Sequence, residues 1–206
     1  MLHNCLANAN LNYHQQLLAI DVDSANQAKK TGCRHCNATL HQANYPRIAF
    51  GLSTAIAHFY HTRFSFCCSL CRRRTTPPSV RFLGRRRYAA SIFILLCASR
   101  GFKPVKRCGQ RLARKFGIHL SLTTWKRWKV WWAERFPQMR FWIAAKTFFS
   151  ADICVSPTPK TLLQSFKGTS LSQRLSAMLL FLSPLTTHVN WGLRNIRRIC
   201  NFYVKS

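Results

Sequence analysis

Acidic residues are the scarcest feature of this 206-residue sequence, in which four aspartates and glutamates stand against 32 lysines and arginines. The four are Asp21, Asp23, Glu134 and Asp152. Two-metal nucleases and transposases hold Mg²⁺ with clustered carboxylates, and a three-carboxylate site would require nearly every acid in the chain. The scarcity of acids therefore predicts that the chain is not an enzyme. The alternative, a nuclease or transposase, would depend on Glu134 or Asp152.

Long apolar runs are also lacking. A transmembrane helix needs about 18 consecutive apolar residues, whereas the run at residues 91–98 has eight. The first residues lack the basic start, apolar centre and cleavage site of a signal peptide, and no glycine-rich phosphate loop or internal repeat is present. We therefore expect no membrane partner. The ten cysteines fit a reducing compartment, and we predict a cytoplasmic, nucleoid-associated protein of a bacterium.

Positive charge is what the sequence has in excess. The formal net charge is +28, and a compact body with this charge repels itself unless a polyanion lies on it. Nucleic acid is the usual polyanion, and an anionic membrane surface ranks second. Because 48% of the residues are hydrophobic and 13% are aromatic, the chain is too apolar to be a disordered basic tail. The composition predicts a folded, basic protein.

Two Cys-x2-Cys pairs are the most specific motif. Cys33 pairs with Cys36, and Cys68 pairs with Cys71. Each pair can form a tight knuckle that places two thiolates on one metal, and four thiolates are a set that tetrahedral Zn²⁺ prefers in structural sites. Cys67 is adjacent to Cys68, but consecutive side chains of an extended strand point to opposite faces, and the spacing to Cys71 selects Cys68. We predict one structural Zn²⁺.

The ligand set stays open at this point. Cys67 or one of the histidines His35, His41, His58 and His61 could replace a predicted ligand. Two disulfides would also bring the four cysteines together, but they would need a secreted setting. A catalytic zinc would keep an open position and usually has histidine or carboxylate ligands.

Residues 32–84 are predicted to form a zinc β-ribbon, in which metal holds short strands that lack a core of their own. Alternating apolar and polar residues at 64–66 and 79–83 predict strands. A basic loop that ends in two prolines lies between these segments. Its arginines, Arg72, Arg73 and Arg74, follow the second knuckle and are predicted to contact phosphates.

Residues 85–150 are predicted to be helical and to resemble a helix-turn-helix unit. Three arginines that could hold phosphates, Arg85, Arg86 and Arg87, open an apolar helix that ends near Ala98. A second helix begins at Pro104 and ends at Gly117, and Ser121 caps a third. In the third helix Trp125, Trp128 and Trp132 share one face. The residues predicted to enter the major groove from this helix are Thr123, Thr124, Lys126, Arg127 and Lys129.

Two other interpretations of the tryptophan helix stay open. An ordinary helical hairpin with a tryptophan-rich core needs no DNA. Stacking of the tryptophans on unpaired bases ranks lower, because their regular helical spacing indicates that the rings lie inside. The remaining parts are an N-terminal arm at residues 1–31, which is expected to be extended or to contain a short helix, and a basic helical C-terminal extension at residues 151–206. The fold class is therefore predicted to be α+β.

The order of these parts resembles the DNA-binding N-terminal region of insertion-sequence transposases, which carry a zinc ribbon followed by a helix-turn-helix. The resemblance covers about residues 33–136 and rests on the cysteine pairs and the segments 84–88, 111–117 and 124–128. The turn before Thr124 is longer than in the family's usual pattern. Such transposases continue into a ribonuclease-H-like domain with three acidic residues, which this sequence lacks. The resemblance therefore implies binding at a mobile element without strand transfer by this chain.

The leading hypothesis is a zinc-dependent protein that binds duplex DNA as a transposase-like accessory, targeting or regulatory factor. A separate transposase subunit is then a second expected partner. An RNA-binding zinc-ribbon protein shares the charge and the cysteines and is the main alternative. A decayed or misread frame would explain the shortage of acids, but the ordered cysteine pairs argue against it.

Overall fold

A computed structural model describes residues 11–83, 88–100, 121–187 and 193–205 of the chain. The helices are α1 (Leu11–Thr31), α2 (Thr54–Ala57), α3 (Ala90–Arg100), α4 (Leu122–Val130), α5 (Arg140–Ala145), α6 (Ala151–Val155), α7 (Pro159–Ser165), α8 (Leu171–Leu182) and α9 (Leu193–Tyr203). The strands are β1 (Leu40–Gln42), β2 (Tyr45–Pro46), β3 (Thr62–Arg63), β4 (Phe66–Cys68) and β5 (Arg74–Thr75). The predicted α+β class is confirmed. None of the helices in these ranges combines the length and hydropathy needed to cross a lipid bilayer.

The strands form two small antiparallel sheets. One has the order β1-β4-β5, with Leu40 opposite Cys68 and Phe66 opposite Thr75. The other pairs β2 with β3 and sets Tyr45 opposite Arg63. Strands of two or three residues do not hold a sheet together alone, so these sheets need other contacts.

Helix α1 has 21 residues and is longer than the short helix that was predicted as an alternative for the N-terminal arm, of which residues 1–10 lie outside the described part of the chain. The buried face of α1 consists of Tyr13, His14, Leu17, Asp21 and Ala25, at the spacing of three or four residues that one helical face requires. Two of these five residues, His14 and Asp21, are polar, so hydrophobicity marks only part of the buried face.

A large hydrophobic cluster, called here the main core, joins most of the helices. Residues 90–98 of α3 are all buried within it, and α3 packs against α7 and α8. The C-terminal helices supply Leu162, Leu175 and Ile196 to the same cluster. The main core therefore includes residues on both sides of residue 150, because the apolar faces of α7 and α8 are buried on α3.

The tryptophan helix agrees with its prediction in two respects. The Oγ of Ser121 caps α4 by accepting a hydrogen bond from the backbone N–H of Thr124 at 3.1 Å. Trp125, Trp128 and Trp132 are at most 4% exposed, and the ring of Trp128 meets that of Phe93 on α3 edge to face, with centroids 4.9 Å apart. Burial of these rings contradicts stacking on unpaired bases. Residues 131–135 continue α4 as a π-helical turn.

Two other predictions have different outcomes. Residues 79–83 do not form a strand, although all five are buried. The polar residues Ser79 and Arg81 bind Asp21 of α1 instead. The alternation of polar and apolar residues therefore did not indicate a strand. The first helix of the predicted helix-turn-helix, at residues 104–116, and the arginines Arg85, Arg86 and Arg87 lie outside the described residues.

Candidate metal centre

The first cysteine knuckle begins where α1 ends. Gly32 follows the last turn with φ +77°, and its N–H donates to the carbonyl of Lys29 at 3.3 Å. A Cβ at Gly32 would lie 3.2 Å from the carbonyl oxygen of Asn37, so both the positive φ and the close approach favour glycine. This turn places Cys33 directly after the helix.

The two knuckles end with the same backbone device. Asn37 follows Cys36 with φ 55°, and Arg72 follows Cys71 with φ 58°. These are the non-glycine residues with positive φ in the described part of the chain. Left-handed backbone is uncommon outside glycine, although asparagine tolerates it. The shared turn indicates that the two cysteine pairs have equivalent local geometry.

The structure brings the four predicted cysteines into one group. Their sulfur atoms all lie within 4.8 Å of one another. The closest pairs cross between the knuckles, with Cys33 Sγ 3.5 Å from Cys71 Sγ and Cys36 Sγ 3.3 Å from Cys68 Sγ. These separations exceed the roughly 2.05 Å of a disulfide, and all four thiols are free. The two-disulfide alternative does not describe this arrangement.

The sulfur spacing fits a tetrahedral metal ion. Four sulfurs placed about 2.3 Å from one Zn²⁺ are separated by roughly 3.8 Å along each edge of the tetrahedron. The observed group spans this value. Cys33 and Cys68 are 0% exposed, and their backbones are fixed by α1 and β4. The site can therefore hold one metal ion with four thiolates and is shielded from water on one side.

The thiols do not titrate alike. The pKa of Cys33 is lowered, chiefly by the backbone N–H of His35. Burial raises the pKa of Cys68, but hydrogen bonds that include the backbone N–H of Cys71 outweigh it and lower this pKa to about 6. The backbone N–H of Arg73 lowers the pKa of Cys71, yet burial and the adjacent sulfurs raise it to about 12. Adjacent thiolates repel one another, so full ionisation of the group requires a cation.

The alternative ligands lie outside the group. Cys67 is half-buried, and its Sγ lies 3.4 Å from the carbonyl oxygen of Arg72. The Nδ1 of His35 contacts Nη1 of Arg73 at 2.8 Å. Like His35, the other candidate histidines are exposed, namely His41, His58 and His61. The choice of Cys68 over Cys67 is confirmed.

Basic side chains surround the cysteine group. Arg34 in the first knuckle is exposed, and so are Arg72, Arg73 and Arg74 after the second. The guanidinium of Arg74 lies over the ring of Tyr45, 5.6 Å from its centroid. Among the described residues, the salt bridge between Asp21 and Arg81 involves none of these arginines. The surface around the metal centre is therefore strongly positive.

The predicted groove residues of α4 divide into two groups. Thr123, Lys126 and Arg127 are exposed on the side opposite the buried tryptophans. Thr124 is half-buried, and its hydroxyl contacts the capping Oγ of Ser121 at 2.9 Å. Lys129 is also half-buried. Three of the five residues are therefore accessible to a ligand, whereas Thr124 belongs to the helix cap.

A buried ion pair between α1 and the segment 79–83 was missed by sequence reasoning. Asp21 of α1 accepts from Nε of Arg81 at 2.7 Å, and both side chains are 1% exposed. The same carboxylate accepts from Ser79 Oγ at 2.6 Å and from the N–H of Val80 at 2.8 Å. The signal available in the sequence was the alternation of polar and apolar residues at 79–83. The structure explains this alternation by the contacts with Asp21 and not by a strand. The other acids, Asp23, Glu134 and Asp152, are exposed.

Comparisons with protein-family models, with curated proteins and with solved structures found no match to this chain. The resemblance to the DNA-binding region of insertion-sequence transposases therefore stays a prediction. What the chain can bind has to follow from the cysteine group and from the charges around it.

Proposed function

We propose that the chain is a zinc-dependent protein that binds duplex DNA through two basic surfaces, one around the cysteine group and one on α4. The observation that carries this proposal is the set of exposed arginines beside a site for one tetrahedral metal ion. Four thiolates prefer Zn²⁺ over hard cations. A structural zinc would fix the knuckles, and the knuckles would hold the arginines in place.

The arginines around the metal centre suit phosphate binding. A zinc ion with four thiolates carries a net charge of about −2, which is small beside the charge of the surrounding chain. Guanidinium groups donate to phosphate oxygens in a fixed fork. Each phosphate that is neutralised steepens the salt dependence of binding by roughly 0.9 in the slope of log K against log salt.

The exposed face of α4 suits base contacts. This face consists of Thr123, Lys126 and Arg127, which are spaced three or four residues apart. The tryptophans on the opposite face pack α4 against the main core. An α-helix fits the B-DNA major groove, which is about 12 Å wide, and arginine reads guanine there. Association with a mobile element, and with a separate transposase subunit that supplies catalysis, is part of this proposal and follows from the resemblance.

The first experiment measures zinc content by elemental mass spectrometry and binding to duplex DNA and structured RNA at two salt concentrations. The proposal expects one zinc per chain and a salt-sensitive preference for duplex DNA. A preference for structured RNA would replace the proposal by RNA binding. Protein that folds without bound zinc would contradict it.

Variants separate the two surfaces. Arg73→Ala should weaken binding to all sequences equally and reduce the salt slope by about 1. Arg127→Ala should relax sequence preference at a selected site, with a loss of about 1–3 kcal/mol. Lys160 is exposed on α7 and serves as the control for loss of one positive charge. Equal losses for Arg127→Ala on selected and random DNA would contradict the groove assignment.

A further inference from the structure

Two arginines are buried among the described residues, Arg63 and Arg81, and of these two Arg81 forms a salt bridge with a carboxylate. Arg81 is paired with Asp21, and its Nη1 and Nη2 donate to the carbonyls of Phe59 and Thr62. All three nitrogens of Arg81 are therefore satisfied. Asp21 accepts from three donors, so both of its carboxylate oxygens are hydrogen-bonded.

Arg63 is the other buried arginine. Its side chain is 2% exposed, and its Nη2 donates to the carbonyl of Pro77 at 2.5 Å. Its Nη1 is buried and has no hydrogen-bond partner among the described residues. Burial lowers the pKa of Arg63, the nearby carboxylate of Asp21 opposes this effect, and Arg47 and Arg81 add to it. A guanidinium nevertheless stays protonated in proteins, so a positive charge is buried without a full set of partners.

A second unsatisfied polar atom lies two residues further along the chain. Ser65 is 0% exposed, and its Oγ has no hydrogen-bond partner among the described residues. The backbone of Ser65 is fixed by the N–H of Ala43, which donates to its carbonyl at 2.8 Å, and by Asn44 Oδ1, which accepts from its N–H at 3.0 Å. Arg63 ends β3, Ser65 follows it by two residues, and both side chains are buried.

Among the described residues, one buried carboxylate faces two buried arginines. Asp23, Glu134 and Asp152 are exposed, and Asp21 forms its salt bridge with Arg81. The charges of Arg63, Arg81 and Asp21 sum to +1. An uncompensated charge in the interior is strongly unfavourable. An enclosed anion would accept hydrogen bonds from the unpaired donors of a buried guanidinium.

We propose that Arg63 and Ser65 form a binding site for a small inorganic monovalent anion of the size of chloride. The anion would accept hydrogen bonds from Arg63 Nη1 and Ser65 Oγ and would neutralise the buried charge. A phosphate of a nucleic acid is disfavoured, because a polymer cannot reach a side chain that is 2% exposed without displacing the ribbon. The site is independent of DNA binding, so each proposal can fail alone.

The experiment measures thermal unfolding of the full chain with zinc at constant ionic strength, while chloride replaces isethionate. Wild type should show a saturable rise in Tm with chloride, because the anion binds the folded state. Arg63→Met should abolish the rise. Ser65→Ala removes one hydrogen bond to the anion and should weaken the chloride affinity about tenfold. Arg198→Met removes an exposed charge on α9 and should keep the wild-type response.

Two results would overturn the site. One is an equal rise in the Tm of wild type with chloride and with isethionate. The other is an Arg63→Met variant that keeps the full rise in Tm with chloride. Either result would show general screening of the positive charges of the chain. If Arg63→Met does not fold, chloride-35 NMR line broadening decides. Broadening in wild type that Ser65→Ala reduces supports the site, and identical broadening in both proteins refutes it.

Discussion

Removal of one predicted metal ligand tests the part of the fold that surrounds the cysteine group. A small core of Ala25, Cys33, Leu40, Phe66 and Cys68 surrounds the metal centre and is separate from the main core. Cys68→Ser changes the volume of the side chain little but removes a thiolate ligand. We expect the variant to lose zinc and the residues around the small core to lose their fixed structure.

The structure gives the magnitude of this effect. Leu40 and Phe66 are the two large apolar side chains in the small core, and burial of each contributes about 1.5–3 kcal/mol. A structural zinc contributes an apparent free energy of about 10–16 kcal/mol. The metal is therefore the larger of the two contributions. The zinc affinity should fall by more than the roughly 10–100-fold that loss of a second-shell partner causes.

The assay combines zinc content with amide hydrogen exchange. In Cys68→Ser, and in wild type treated with a chelator, protection should be lost in β1, β4 and β5. Protection should persist in α3 and α8, because these helices pack in the main core. Cys67→Ser is the matched control, since Cys67 is adjacent in sequence and lies outside the cysteine group.

Two outcomes would refute the reasoning. Equal zinc content in the two variants would show that zinc binding does not require Cys68. Unchanged protection of β1 and β4 after complete removal of zinc would show that the small core is stable without metal.

Three further predictions concern the polar interior and the second knuckle. Burial lowers the pKa of His14 from 6.5 to about 4, so the folded state binds fewer protons than the unfolded state and loses stability as the pH falls through this window. We expect a loss of about 2 kcal/mol between pH 7 and pH 4 once solvent screening is included, and urea unfolding should show this loss removed in His14→Gln. Asp21→Asn leaves the charge of Arg81 buried and should lower the free energy of unfolding by about 3–5 kcal/mol, whereas failure of the added change Arg81→Met to restore any of it would contradict the pairing. Arg72→Gly should raise the free energy of unfolding by about 1 kcal/mol, because it relieves the left-handed backbone, and an equal gain in Arg74→Gly would contradict this cause.

The clustering of the four cysteines was predictable because its geometry is local. A two-residue spacing fixes how two cysteines approach one ion, whatever the rest of the fold does. The choice between Cys67 and Cys68 followed from strand alternation, and the structure buries Cys68 while Cys67 stays half-buried. The Ser121 cap and the buried tryptophans were predictable for the same reason, since caps and helical faces depend on spacings of three and four residues.

Helix α1 was not predictable because its buried face includes polar residues. Hydrophobic periodicity counts His14 and Asp21 as solvent-facing, yet both are buried. Each becomes favourable only through a partner that is distant in sequence, with Tyr60 OH 2.8 Å from Nδ1 of His14 and Arg81 paired to Asp21. The same long-range dependence explains why residues 79–83 were assigned to a strand.

The position of Asp21 explains how the metal centre is attached to the remaining fold. Helix α1 supplies Tyr13 and Leu17 to the main core and Ala25 to the small core, and Asp21 lies between these two groups. The carboxylate of Asp21 binds Arg81 at this point of the helix. When zinc is lost, the disorder in α1 should therefore extend only as far as Asp21. The N-terminal half of α1 should then keep its amide protection in Cys68→Ser, whereas the double variant with Asp21→Asn should lose protection along the whole helix. Retained protection in the double variant would show that the ion pair does not limit the spread of unfolding.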